Sequence, residues 1–399
     1  MPISKIVKNS LEAGAAGISW QSTKTANFTA VAGEGYSVDT SSGAITMTLP
    51  SSPSVGDTVE VIDVGGSLST NNITVARNSS NINGNAVDSV FNENNSHYIC
   101  IYLSTSEGWS ISKAVDSNPI PTSYLVIAGG GGTYSDGAND VASGGGGAGG
   151  YINSYASESS GDSSSTASVI NLESGLTYTI TVGSGGSGNN EGNNSTITQG
   201  LTTLVEATGG GAGTQTVANT NGGSGGGQTF VGENGQTRGP GTGVNFQGGD
   251  GGNSFQNNST TYGAGGGGGA SGNGGNATTS AVGDGANGLS SSITGSAVTR
   301  GGGGGGASRN YGSAGSGGTG GGGNGVNGTV SAGGNGTANT GGGAGGSFGR
   351  TTGATGGSGI VILRLATALY SGTTTGSPTV TTDGSDTILQ FTGSGSYTA

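Results

Sequence analysis

Apolar and polar residues alternate in short runs through the first part of the chain. Ile45, Met47 and Leu49 alternate with threonines, and residues 59–61 and 73–75 repeat the pattern. Residues 98–103 and 109–111 face each other across a turn, which predicts a β-hairpin. Proline, glycine and asparagine clusters separate the runs at roughly 8–12-residue intervals, as in sandwiches and barrels. We therefore expect an all-β sandwich or barrel over residues 18–114.

A different pattern follows, in which two strand-like runs are apolar throughout. Residues 124–128 read Tyr-Leu-Val-Ile-Ala, and residues 360–363 read Ile-Val-Ile-Leu. Two such runs at the ends of a glycine-rich region predict strands that pair with each other. Residues 176–182 alternate cleanly, and we expect them to join the same sheet with residues 168–172 beside them.

Glycine dominates the region between these two runs. The chain has 94 glycines in 399 residues, and 79 of them lie between residues 129 and 365. Collagen is excluded because the triplet period is absent. Glycine has no Cβ, so left-handed threefold polyglycine II helices can approach until their backbones bond to each other. The sequence thus predicts an all-β fold whose second domain, residues 122–365, packs polyglycine II helices between short strands. Disorder is the alternative, and the paired apolar ends argue against it.

The remaining segments are short. Ile3, Ile6, Val7 and Leu11 lie at helical spacing, so residues 1–17 are interpreted as an attachment segment, with a frayed terminus as the alternative. Residues 115–121 are interpreted as a linker because they contain two prolines. Residues 366–399 are interpreted as a C-terminal β tail.

Charge and composition exclude several classes of protein. The net charge is −12, with 10 basic and 22 acidic residues, and nucleic acids and anionic membranes require a basic face. No apolar stretch is long enough to span a membrane, so no membrane insertion is expected. One cysteine and one histidine exclude the usual disulfides, catalytic triads and imidazole metal sites. We expect no cofactor and no metal.

Paired carboxylates of the kind that cleave polysaccharides occur at Asp136 with Asp140 and at Glu158 with Asp162. No apolar residues surround either pair to raise a carboxyl pKa. Residues 248–253 resemble one calcium-binding turn, but that kind of site needs tandem copies. We therefore expect the protein not to be an enzyme.

The aromatic residues of the glycine-rich region are the stronger candidates for binding. Each can pack over the end of a glycine bundle, or it can lie exposed in a joining loop and offer a flat apolar face to a sugar or a protein. The preferred receptor-binding patch is Asn245, Phe246, Asp250, Phe255 and Tyr262, which lie close together in the sequence.

Two sets of motifs resemble bacteriophage proteins. Ile18-Ser-Trp20-Gln-Ser, residues 27–40 and residues 43–50 resemble the β module of tail fibre proteins from marine bacteriophages, cyanophages among them. Residues 124–132, 144–151, 178–183 and 356–363 are similar to the polyglycine domain of phage tail-fibre tips and adhesins. Residues 386–397 depart from that pattern, because the same motif usually precedes the opening strand of such a domain.

The resemblance implies attachment to a virion and recognition of a host surface. The implied partners are further copies of the chain, most simply a trimer, other virion tail proteins, and a host glycan or outer-membrane protein. The implied location is the virion, assembled in the host cytoplasm and extracellular after release. The alternative is a structural glycine-rich filament or matrix protein whose subunits contact one another without binding a receptor.

Overall fold

The computed structural model describes residues 17–114, 119–133, 141–214, 220–231, 239–258, 261–310, 313–328, 330–349 and 353–399. The chain divides into two compact units, Met1–Asn118 and Pro119–Ala399. Within the described ranges the secondary structure is strand, apart from one 3-10 turn at Thr367–Leu369. The predicted all-β class is therefore confirmed. None of the helical segments described is long and apolar enough to cross a membrane.

The described part of the first unit, residues 17–114, contains nine strands. They are β1 (Ser19–Lys24), β2 (Phe28–Thr29), β3 (Glu34–Val38), β4 (Ile45–Thr48), β5 (Thr58–Asp63), β6 (Ile73–Ala76), β7 (Ser89–Phe91), β8 (His97–Ser104) and β9 (Gly108–Ala114).

These strands form two sheets around one core. The five-stranded sheet has the order β1-β3-β5-β8-β9, and the four-stranded sheet has the order β2-β4-β6-β7. The inward residues of both sheets meet around the fully buried Trp109, with Met47, Val61 and Ile73 among them. The predicted hairpin is present as β8 and β9, with Cys100 opposite Ile111. The first six strands alternate between the two sheets, so β1, β3 and β5 pair in parallel, which the turn pattern did not predict.

The second unit contains eighteen strands within the described residues. They are β10 (Ile120–Ile127), β11 (Val141–Ala142), β12 (Tyr151–Asn153), β13 (Ile170–Leu172), β14 (Thr177–Thr181), β15 (Ser195–Gln199), β16 (Thr202–Ala207), β17 (Phe230–Val231), β18 (Phe255–Asn258), β19 (Thr261–Gly263), β20 (Leu289–Ser291), β21 (Val298–Arg300), β22 (Ser308–Arg309), β23 (Ile360–Ala366), β24 (Thr373–Thr375), β25 (Thr379–Asp383), β26 (Asp386–Phe391) and β27 (Gly395–Thr398).

The two apolar runs pair as predicted. They form β10 and β23, antiparallel neighbours with Tyr124 opposite Leu363, in a sheet of order β12-β10-β23-β26-β25. One face of this sheet packs on a second sheet, β16-β15-β14-β27-β24. Ala270 and Ile293 cover the other face, where they pack with Tyr151 of β12. Because both faces are buried here, the paired runs 124–127 and 360–363 are apolar at every position instead of alternating.

Two expectations for this region were wrong. Residues 177–181 form β14 of the second sheet, because their alternation marks one buried face and does not identify the partner sheet. Residues 170–172 pair with β10, not with β14. The predicted linker also overlaps β10, since Ile120 and Pro121 begin that strand. Pro121 is tolerated because at its position β10 is paired on one side only, by Asn171.

The C-terminal tail belongs to the same unit. β26 lies beside β23 along its whole length, and β27 lies beside β14. Phe391 and Tyr397 are fully buried in the core between the two sheets. The predicted C-terminal β tail therefore adds strands to the second unit.

We use "glycine bundle" for the described glycine-rich segments of residues 129–359. Their backbone amides donate hydrogen bonds to carbonyls of other segments outside any β-sheet, and the acceptor segments repeat every three residues. Gly145, Gly146 and Gly147 donate to three different segments, and the next three residues donate to the same three segments in the same order. The acceptors are the carbonyls of Gly265, Ala344 and Gly211, then Gly268, Gly341 and Thr208, at 2.7–3.0 Å. This is the bonding that packed threefold helices would make, and the helix type itself stays a prediction.

Candidate functional site

The glycine bundle has two ends with different surroundings. At the sheet end, Ala128, Gly150 and Ile360 lie where the bundle meets β10, β12 and β23, and Gly150 N donates to Thr208 O. At the far end, Ser143 N donates to Ser347 O, and β11 pairs with β17. The interior of the bundle leaves no room for larger side chains, and aromatic side chains lie at both ends. A candidate site built on an aromatic side chain is therefore sought at an end.

Aromatic side chains cap the far end. Phe230 stacks on Tyr262 with ring centroids 4.3 Å apart, and Phe348 packs into the same cluster. Tyr262 is 1% exposed. Its predicted place in an exposed patch is wrong, because the end layer of the bundle buries the ring under Phe230. Phe255 lies half-buried on the neighbouring strand, opposite Gly263.

Asn245 and Phe246 lie at the sheet end, so the predicted patch is divided between the two ends. They occupy a turn in which Gln247 N donates to Val244 O, and Gln247 O accepts from Tyr151 N at 2.9 Å. Phe246 is 65% exposed. Its φ is +66°, in the left-handed region that bulky residues avoid, at a cost on the order of 1–3 kcal/mol. Glycine is the usual residue at such a turn position. The turn conformation therefore gives no reason for a large exposed ring here.

A cavity of about 230 Å³ lies beside this ring. Its walls are residues 165–167 and 245–247, with Ile152 and Ser160. All of these residues are uncharged, and several carry hydroxyl or amide groups. We call this place the Phe246 pocket.

Gln247 fixes the geometry of the Phe246 pocket. Its Oε1 accepts from Thr208 N at 2.7 Å, and its backbone is in contact with Gly161. A Cβ added to Gly161 would lie 2.0 Å from Gln247 O, so only glycine allows the two loops to approach this closely. The pocket is therefore preformed by backbone contacts.

Backbone strain is concentrated around the Phe246 pocket. Ala156, Asp162 and Ser163 have φ values of +51°, +56° and +52°, and all three lie in the loop that supplies Ser160 and Ser165. Glu158 stabilises this loop, because its two carboxylate oxygens accept from Asn153 Nδ2 at 2.9 Å and from Ser292 N at 2.7 Å. Strain of this kind clusters at binding sites.

Asp250 lies in the glycine run after this turn. Its Oδ1 accepts from Gly243 N and its own amide donates to Asn273 Oδ1, each at 2.8 Å. These bonds give Asp250 a role in holding neighbouring segments together. In the part of the chain that the structure describes, no three His, Cys, Asp or Glu side chains are grouped as metal ligands.

The sheet end also contains a buried polar pair. Burial, with the Glu158 carboxylate nearby, raises the pKa of Tyr151, and burial lowers the pKa of Arg300. Both shifts result mainly from burial of the two side chains. The side chains of Tyr151 and Arg300 support the bundle and do not line the cavity.

A larger cavity of about 620 Å³ runs along residues 181–184 and 191–194. Asn193 Nδ2 donates to Ser184 Oγ at 2.7 Å, and Asn194 Nδ2 donates to Glu206 Oε1 at 2.8 Å. Its amides are therefore used within the protein, and it has no aromatic wall. The Phe246 pocket is the better candidate for ligand binding.

Sequence reasoning missed the hydroxyl side of the Phe246 pocket. Ser160, Ser165 and Thr166 belong to a serine-rich stretch in which no spacing distinguishes them from their neighbours. The attachment residues Ile3, Ile6, Val7 and Leu11, and the carboxylates Asp136 and Asp140, lie outside the described residues. Their roles stay predictions.

Two family models match the chain. Residues 9–116 match the model described as the N-terminal part of a bacteriophage T4 gp9/10-like protein, and residues 105–366 match the model described as a glycine-rich domain. No curated protein matches. Together the two matches support a bacteriophage tail protein, located in the virion with other tail components. The glycine-rich model covers more than half of the chain, and the chain therefore belongs to the glycine-rich domain family.

Proposed function

We propose that this protein is a bacteriophage tail fibre or adhesin that attaches to the virion through its N-terminal part and binds a host receptor with its glycine-rich unit. The receptor is a surface glycan or an outer-membrane protein. The resemblance to marine phage proteins makes marine bacteria, cyanobacteria among them, the first hosts to test.

The observation that carries this proposal is the separation of backbone and side chains in the glycine bundle. Amides and carbonyls bond to each other in its interior, while aromatic side chains lie at its two ends. Such a scaffold holds loops rigidly without needing a large apolar core. Binding residues are commonly placed on loops that a rigid scaffold positions.

The N-terminal part is proposed to provide attachment and assembly. The bacteriophage match ends at residue 116, close to the end of the first unit at Asn118. We propose that the apolar stripe of Ile3, Ile6, Val7 and Leu11 docks on another tail protein, and that the chain assembles as a homotrimer in the virion. Several copies of one weak binding site would then act together on one cell.

The protein is proposed to act by binding and not by catalysis. Both oxygens of Glu158 accept hydrogen bonds from the protein itself. That engagement supports a structural role for a carboxylate that could otherwise be paired with Asp162 for hydrolysis.

The test separates the two ends of the chain. Purified full-length protein, labelled with a fluorophore, is titrated onto a panel of marine bacterial strains. We expect saturable binding to a narrow set of strains. The double variant Ile6→Asp, Val7→Asp should keep this binding and fail to enter virions, because an apolar docking stripe tolerates no charge.

Two outcomes contradict the proposal. Absence of saturable binding on every strain, with filaments forming from purified protein, supports the structural filament instead. If the first unit alone binds cells and the glycine-rich unit does not, the assignment of receptor binding to the glycine-rich unit is wrong.

A further inference from the structure

We infer that the Phe246 pocket binds one neutral pyranose unit of a host surface glycan. The inference deepens the proposed function and rests on it for its biological meaning, but its chemistry comes from the pocket itself. The argument depends on an exposed ring, on unused polar groups, on the absence of charge in the cavity wall and on its size.

The ring of Phe246 is presented to solvent at the mouth of the cavity. An aromatic face suits the C–H face of a sugar ring, which is apolar and flat. The left-handed φ of Phe246 holds the ring outward where glycine or asparagine would fit the turn with less strain. The position therefore carries an aromatic group for contact rather than for folding.

Two polar groups next to the ring are available to a ligand. Within the described residues, the Asn245 amide and the Ser165 hydroxyl make no side-chain hydrogen bond, and both residues are exposed. The other hydroxyls are already engaged. Thr166 Oγ1 donates to Glu158 O at 2.7 Å, and Ser160 Oγ accepts from Asn153 N at 3.0 Å. An amide and a hydroxyl beside a ring match the hydroxyl groups around a sugar.

The walls of the cavity exclude charged ligands. No wall residue is charged, so neither a phosphate nor an ammonium group would find a counter-ion in the cavity. The net charge of −12 disfavours anionic sugars further. The volume, about 230 Å³, is below the roughly 300–1,000 Å³ of sites for drug-sized ligands. One sugar residue of a longer chain is the occupant that fits.

The experiment uses the full-length protein and the methyl glycosides of glucose, galactose, mannose, N-acetylglucosamine and N-acetylgalactosamine, with methyl glucuronide as the anionic probe. Ligand-observed saturation-transfer NMR should show transfer to the ring protons of at least one neutral glycoside, and none to the glucuronide. Phe246→Gly should abolish the transfer while the melting temperature stays the same or rises, because glycine fits the turn. Phe246→Trp should retain it, and Ser165→Ala should weaken binding about tenfold.

Leu201→Ala is the matched control, since Leu201 is also an exposed apolar residue in a turn, and this variant should bind sugar like the wild type. If no neutral glycoside shows transfer, or if Phe246→Gly binds sugar like the wild type, the inference is wrong. The strain titration with Phe246→Gly distinguishes this failure from that of the proposed function. If Phe246→Gly still binds cells, the proposed adhesin function stands and the sugar site at Phe246 is wrong. If Phe246→Gly loses cell binding and no glycoside shows transfer, the ligand of the pocket is a protein.

Discussion

At the scale of single residues, the interior of the glycine bundle leaves no space for a Cβ atom. A Cβ added to Gly303 would lie 2.2 Å from Gly267 O and 2.5 Å from Gly268 O, both backbone atoms that cannot rotate away. Gly303→Val should therefore destabilise the second unit by about 3 kcal/mol or more. In a unit of this size, that lowers the melting temperature by roughly 6–12 °C, measured by circular dichroism or calorimetry.

The chain has its own controls for this measurement. Both tryptophans, Trp20 and Trp109, lie in the first unit, so the tryptophan fluorescence transition should not move. Gly393→Val, where an added Cβ meets nothing within 4 Å, should melt like the wild type. Equal melting temperatures for Gly303→Val and Gly393→Val would contradict the close-packed glycine core.

Cys100 gives a second residue-scale prediction, for the first unit. Its side chain is fully buried between the two sheets, and burial raises the pKa of the thiol from 9.0 to about 12. At pH 8 the folded protein should react with a thiol reagent at least about 10³-fold more slowly than the unfolded chain, since each pKa unit reduces the thiolate tenfold. The unfolded chain loses this proton first, so stability should fall as the pH rises above about 9.

The reaction is followed by the absorbance of the released thiol product, with and without denaturant. The control variant Cys100→Ala, Ser112→Cys moves the thiol to an exposed position on β9 and should react quickly in both conditions. A native Cys100 that reacts as fast as this control would show that the core of the first unit is open to solvent.

At the scale of elements, Arg364 joins three strands. Its guanidinium is 9% exposed on β23, with Nε bonded to Asp386 Oδ2 at 2.8 Å, Nη2 to Asp383 Oδ2 at 3.0 Å, and the ring of Tyr155 against it at 4.9 Å. Replacing both aspartates by asparagine leaves a buried cation without a counter-ion. The double variant should lose about 3 kcal/mol of stability, measured by denaturant unfolding of the second unit.

Adding Arg364→Leu to the double variant removes the uncompensated charge. This triple variant should recover most of the lost stability, because apolar residues of similar volume often replace buried ion pairs without loss. A double variant that unfolds at the wild-type denaturant concentration would show that solvent screens the charge of Arg364.

The strands also differ in how much of their pairing the sequence predicts. Residues 124–128 and 360–363 are apolar at every position, which is typical of a strand buried on both faces, so β10 and β23 were predicted together with their pairing. β14 was predicted as a strand but placed in the wrong sheet. Alternation specifies which face is buried, while the partner depends on loops such as the one that returns β27 beside it.

The candidate site was predicted in part, for a related reason. Phe246 is recognisable as an aromatic residue in a polar loop, and the structure exposes it. Tyr262 has similar neighbours in the sequence and is buried, because its exposure depends on how the bundle ends are layered. Ser165 comes beside Phe246 only through the contact between Gly161 and Gln247, which are far apart in the sequence.

At the scale of the whole molecule, the glycine-rich family model ends at residue 366, but the structural unit continues to Ala399. The last 33 residues supply β24–β27 to both sheets of the second unit, and Leu389, Phe391 and Tyr397 are fully buried there. A chain that stops after Ala366 would expose Val361, Leu363 and Tyr178 to water, at about 25 cal/mol for each Å² of apolar surface.

The truncated chain should therefore fail to fold its second unit, with aggregation or strong binding of an apolar dye, while tryptophan fluorescence still reports a folded first unit. The control keeps β24–β27 in the protein and cuts only the covalent link before them. A protease site inserted after Gly372, which is exposed and has open space around it, should give a nicked protein that stays folded, because β24–β27 remain paired with their neighbours. If the truncated chain melts like the wild type, the tail is an appendage and the two sheets are stable without it.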